Sequence, residues 1–151
     1  MDIRDLIEPE RVLSNVEARS KKHALEILSE LLAKTGQDLT SAEIFDSLIS
    51  REKLGCTALG KGVAIPHGRL RDIDGNIGAF LKLSEPVPFD APDGDPVDLI
   101  FGLLIPEDCG NDHLDDLAEI TAMLSNVEFR EMLRNASSSS TAHELLVEPI
   151  S

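Results

Sequence analysis

Four histidines and two cysteines hold most of the chemistry open to this chain. His23 and His143 fall in the first turns of helices predicted from apolar spacing, where an imidazole is ordinarily a solvated or partly packed surface group. His113 stands at the start of another predicted helix, just after an apolar strand and an acidic loop. Position alone leaves it equally a surface residue or a site residue. His67 differs. It lies in Gly55–Arg69, GCTALGKGVAIPHGR, where glycines and one proline surround the short apolar run Val63, Ala64 and Ile65. Glycine leaves backbone N–H groups accessible and tolerates positive φ, so such a segment can bring its main chain close to a ligand. Pro66-His67-Gly68 ends the strand candidate and is expected to place the imidazole where the chain turns. Strand ends and the loops beyond them are where α/β sheets hold ligands.

Several chemistries can be set aside. A metal site calls for two or three further ligands at definite spacing, and neither H-x-x-x-H nor C-x-x-C occurs. A serine-hydrolase elbow is absent, and Cys56 lacks the local signature of a thiol protease. Gly55, Gly60 and Lys61 satisfy the start of a phosphate-binding G-x-x-x-x-G-K loop, but Gly62 stands where a magnesium-binding Ser or Thr is needed. That loop also leads from a helix into a strand, the reverse of the required order. The remaining option makes the imidazole itself a nucleophile that carries a group covalently. A phosphoryl group on nitrogen needs N–H or guanidinium donors around its oxygens, and the glycine-rich backbone and Arg51 could supply them.

The elements that must position these groups are legible from periodicity. A helix is expected from Ser20 to about Lys34, with Leu25, Leu28 and Leu32 on one stripe and Gly36 as its stop. A second starts at Thr40, where Thr40 and Glu43 have capping-box spacing, and ends in the basic cluster Arg51–Lys53. The plain reading of Arg51 is favourable helix-end electrostatics. Ile77–Leu83 alternates like a strand, and Val97–Ile105 is nearly all apolar, as in a strand buried on both faces. The SEPVPFDAPDGDP segment between them is expected to be irregular. Helices follow near Asp112–Ser125, Val127–Arg134 and Thr141–Val147, while Asp5–Val16 shows no strong period. No repeat or boundary divides 1–151, so a single α/β domain is expected, a sandwich with a mixed β-sheet flanked by helices.

Composition narrows the partners. A formal charge of −14 argues against nucleic acid and anionic membranes, and favours a basic protein partner. With aromatics at 3%, platforms for stacking bases or sugars are nearly absent. The start of the chain lacks the features of a secretory signal, and no apolar run approaches membrane-spanning length. Cys56 and Cys109, far apart, suit a reduced compartment. The expectation is a cytoplasmic protein without metal or cofactor.

REKLGCTALGKGVAIPHGR resembles the phosphorylation-site signature of enzyme IIA proteins of the mannitol/fructose class in the phosphoenolpyruvate-dependent phosphotransferase system. It is most similar to the nitrogen-regulatory (PtsN-type) branch. SKKHALEILSELLAK resembles that branch's first helix, and FDAPDGDPVDLIFGLLIPED its buried strand, so the likeness spans about Ile3 to Leu146. The resemblance implies that His67 is phosphorylated on Nε2 by a phosphohistidine of a small HPr-like carrier. It implies that Arg51 binds the phosphoryl group and that His113 lies beside His67. It further implies regulated target proteins, including potassium-transport and sensor-kinase systems. The chain departs from the pattern at Cys56, commonly Ser, and in its own DCGND loop before His113. No fused IIB or IIC segment is expected, which favours the regulatory branch over a sugar-transport IIA, and the intact His67 and Arg51 count against a binding module that has lost phosphorylation.

Overall fold

The structure, a computed structural model, describes residues 3–35, 38–107 and 114–147. Gly36, Cys109 and His113, with the loop that precedes it, lie outside them. The chain opens with a single helical turn, α1 (Ile3–Leu6), a 3-10 turn (Pro9–Arg11) and strand β1 (Val12–Val16). Helices α2 (Lys21–Leu32) and α3 (Ser41–Leu54) follow, then strands β2 (Ala58–Gly60), β3 (Val63–Ala64), β4 (His67–Leu70), β5 (Ile77–Val87) and β6 (Val97–Pro106). Helices α4 (Leu114–Leu124), α5 (Val127–Asn135) and α6 (Ser139–Val147) complete it. The strands form one mixed sheet in the order β1-β5-β6-β3-β2, with β4 also paired to β6.

Why the sheet takes helices on both faces follows from β6. Its side chains alternate between faces, and both sets are apolar. Ile100 and Leu104 join the α2 and α3 residues Leu25, Leu28, Ile44 and Leu48 in one core. Leu99, Phe101, Leu103 and Ile105 join Ile120, Leu124, Phe129 and Leu133 of α4 and α5 in the other. The one lysine buried within this sheet, Lys82, has a helix end to serve: its Nζ donates to the carbonyls of Arg134 and Ala136 at the end of α5. The expected caps form. Ser20 Oγ accepts from the His23 N–H, and Thr40 and Glu43 make a reciprocal capping box. Among the described residues no helix is long and apolar enough to cross a membrane.

Three expectations need correction. The opening segment is not featureless: β1 pairs in parallel with β5, but a register shift between Leu13 and Val16, with Asn15 at φ 59°, breaks the alternation that would reveal it. The segment after Leu83 is regular as far as Val87, because a shift between Lys82 and Val87 lets Ser84, Glu85 and Pro86 bulge outward before Val87 pairs with Val97. Most consequential, the chain does not turn at His67. β3 and β4 run end to end along β6, both parallel to it, and the Pro66 carbonyl accepts from the Leu103 N–H at 3.0 Å across the gap. Pro66 has no N–H to give to β6, and the ladder is interrupted there, between β3 and β4. His67 therefore opens a strand.

Candidate functional site

Gly68 determines what stands beside His67. A Cβ at this position would fall inside van der Waals contact of Ser47 Oγ and 3.1 Å from the Ser47 carbonyl carbon, so only glycine lets α3 approach β4 this closely. The Ser47 hydroxyl then donates to the Arg69 carbonyl at 2.9 Å. Ser47, Arg51 and Leu54 are spaced four and three residues apart and share a helix face. Close packing at Ser47 thus carries Arg51 to the strand edge. Between the two elements opens a cleft of about 660 Å³, lined by Ser47, Arg51, Leu54, His67, Arg69 and Ile105 among others.

His67 is half-buried. Its Nδ1 lies 2.8 Å from the carbonyl oxygen of Ile65. A carbonyl can only accept, so Nδ1 carries the proton and Nε2 carries the lone pair in the neutral ring. Burial holds the His67 pKa below its ordinary value, and the nearby Arg51 and Arg69 cations push the same way against the Ile65 carbonyl and Glu52. The site therefore keeps an uncharged imidazole with one nucleophilic nitrogen. Arg51 Nη1 donates to the Gly55 carbonyl at 2.8 Å, so its helix-end role and its place in the cleft coexist.

The first half of the glycine-rich stretch is scaffold. Lys61 and Gly62 take φ values of 59° and 80° and close a two-residue hairpin between β2 and β3. The Lys61 N–H donates to Asp93 at 2.9 Å, and its carbonyl accepts from Arg134 Nη2 at 2.6 Å. A turn with its main chain so engaged is not a phosphate cradle. Cys56 is likewise engaged, donating to the Phe89 carbonyl and accepting from the Ala58 N–H. The neighbouring Thr57 hydroxyl donates to Glu52. Among the described residues no group of three or more His, Cys, Asp or Glu side chains could hold a metal ion.

Of the residues singled out from sequence, His67 and Arg51 meet in one cleft, and His113 lies outside the described residues. Two groups were missed. Arg69 follows His67 by two positions, the spacing that puts side chains on one face of a strand, but that signal is invisible while His67 is assigned to a turn. Glu52, beside Arg51 in sequence, points inward and joins the glycine-rich loop from below.

Residues 5–148 match the family described as phosphoenolpyruvate-dependent sugar phosphotransferase system, EIIA 2. A nitrogen regulatory protein of Pseudomonas aeruginosa is 42% identical over 146 residues, 97% of this chain and 95% of that protein. The crystal structure of nitrogen regulatory protein IIA-Ntr from Neisseria meningitidis superposes with a TM-score of 0.89 at 41% identity, covering 95% of this chain and 98% of that one. The crystal structure of the mannitol IIA of Escherichia coli follows with a TM-score of 0.77 at 26% identity, covering 93% and 98%. The mixed sheet with helices on both faces is thus the architecture of these IIA proteins, and the chain belongs to the EIIA 2 family of the phosphotransferase system.

Proposed function

We propose that His67 accepts a phosphoryl group on Nε2 from a phosphohistidine of an HPr-like carrier, and that the protein controls target proteins according to its phosphorylation state. The observation that carries this reading is the Nδ1 contact to Ile65, which commits one ring nitrogen and leaves the other as nucleophile in a cleft shared with Arg51. In the transfer, the Nε2–P bond forms as the carrier's N–P bond breaks, and the electron pair of that bond returns to the carrier imidazole. Nδ1 keeps its proton, so no proton need move in the step. Arg51 and Arg69 offset charge on the phosphoryl oxygens, and His113 joins the same site, a role the resemblance implies. The net charge of −14 steers a basic-faced carrier to the surface. No nucleotide enters the step.

The regulatory part rests on the similarity to nitrogen regulatory proteins. Likeness to a mannitol IIA supports a second reading, in which a sugar-specific IIB is the next acceptor. Incubation with phosphoenolpyruvate, the first enzyme of the system and an HPr-type carrier should give one acid-labile phosphoryl group per chain. His67→Ala should abolish it, and Arg51→Ala should slow uptake about a hundredfold, as loss of a charge-stabilising donor does. His113→Ala should slow uptake with the fold intact. Nitrogen-bound phosphate on His67→Ala would overturn the assignment. Onward transfer to a IIB would favour transport, and capture of different proteins by the two phosphorylation states would favour regulation.

A further inference from the structure

Beneath the cleft, a series of polar contacts linked through the backbone of Thr57 and Ile65 runs from a partly buried ion pair to the imidazole. Glu52 follows Arg51 in α3 but turns inward, its side chain only 5% exposed. Lys21 Nζ lies 3.0 Å from its Oε2 and 4.9 Å from the centroid of the Phe89 ring. Thr57 donates twice to the same carboxylate, through its N–H at 3.3 Å and through its hydroxyl. The Thr57 carbonyl accepts from the Ile65 N–H at 3.1 Å, and the Ile65 carbonyl meets His67 Nδ1 at 2.8 Å. Lys21, Glu52, Thr57, Ile65 and His67 are thus joined in sequence.

A carboxylate is a costly way to join a helix to a loop, since taking the ion out of water costs several kcal/mol before its partners compensate. Two consequences distinguish it from inert glue. Its charge acts through space on the His67 ring, and its hold on Thr57, passed by the Thr57 carbonyl to the Ile65 N–H, fixes the backbone that carries the Ile65 carbonyl. The ring gains positive charge when Nε2 is phosphorylated while Nδ1 stays protonated, and that state benefits most. Among the described residues, the charged groups acting on the ring are Arg51 and Glu52 from α3 and Arg69 from β4.

On the phosphoacceptor reading given above, we propose that Glu52, paired with Lys21, is a positioning residue that holds His67 in its Nδ1–H tautomer by anchoring the Thr57 and Ile65 backbone segments. The test is nitrogen-15 NMR of the His67 ring in the unphosphorylated full chain, alongside the rate of phosphoryl uptake. Glu52→Gln and Thr57→Val should each raise the Nε2–H population and slow uptake, about tenfold by analogy with second-layer partners of other histidines. Thr57→Ser, which keeps the hydroxyl, should restore both. If Glu52→Gln does not fold, the Thr57 pair decides alone. An unmoved tautomer ratio in Thr57→Val overturns the proposal whatever the rate. A wild-type chain that takes up no phosphoryl group removes the phosphoacceptor reading instead and leaves the tautomer comparison standing.

Discussion

The two halves of Gly55–Arg69 are similar in composition and opposite in use. Around Lys61 and Gly62 the turn is braced from two directions: Asp93 holds the Lys61 N–H, and Arg134 holds the Lys61 carbonyl while pairing with Asp98 at 2.9 Å. Around His67 the main chain is also secured, by β6 on one side and the Ser47 hydroxyl on the other, but one ring nitrogen is left without a proton to donate. Both halves need glycine. At Gly62 it supplies a backbone conformation, and at Gly68 it supplies room for a helix. Glycine richness therefore does not itself mark a ligand cradle; what differs is whether a side chain with chemistry stands on the strand that the glycine lets close up.

Gly68→Ala should break the active half hardest. The added methyl meets the side chain and backbone of Ser47, so α3 must withdraw from β4 and take Arg51 with it. Stability should fall by about 1–3 kcal/mol, as overpacking does. Phosphoryl uptake per folded molecule should fall as well, by an amount comparable to Arg51→Ala. Denaturant unfolding and single-turnover uptake measure the two effects separately. Uptake unchanged in a destabilised variant would show that the approach of α3 to β4 is scaffold only.

Gly62→Ala sharpens the contrast from the other side. An alanine must hold φ near 80°, and its Cβ would collide with the Arg134 guanidinium and lie 2.8 Å from Asp98 Oδ1. The left-handed conformation alone costs about 1–2 kcal/mol. Uptake per folded molecule should stay within twofold of wild type, because the hairpin contributes no group to the cleft. A loss of transfer as large as in Gly68→Ala would erase the distinction between the halves.

How much of this was legible from residues depended on whether a local rule governed them. The capping box at Thr40 and Glu43, the apolar stripe of α2 and the doubly buried β6 are set by nearest-neighbour chemistry, and all stand as expected. The bulges at Asn15 and after Lys82 were not, because a register shift destroys the two-residue period by which strands are recognised. His67 and Arg51 stood out by residue type. Arg69 and Glu52 did not, since their roles depend on contacts across the fold: the pairing of β4 with β6, and the inward turn of one side chain beside an outward one.

The smallest expected effect is on the pH profile, and it separates the halves without disturbing either. Burial, helped by Arg51 and Arg69, holds the His67 pKa below 6.5. The reactive neutral ring therefore persists to more acid pH than for a free imidazole, and uptake should decline only as pH falls through the lowered folded value. Stability follows the same sign. Between the folded value and 6.5 the unfolded chain binds more protons at this site, so the contribution of His67 to stability falls as pH falls across that window and is constant below it. Removing the Arg51 cation should move the midpoint upward toward the ordinary histidine value, whereas Gly62→Ala should leave it in place. NMR titration of the His67 ring in the three proteins reads this directly. A midpoint above 6.5 in the wild type would mean that a group outside those acting here, closer to the ring than Arg51, governs its charge.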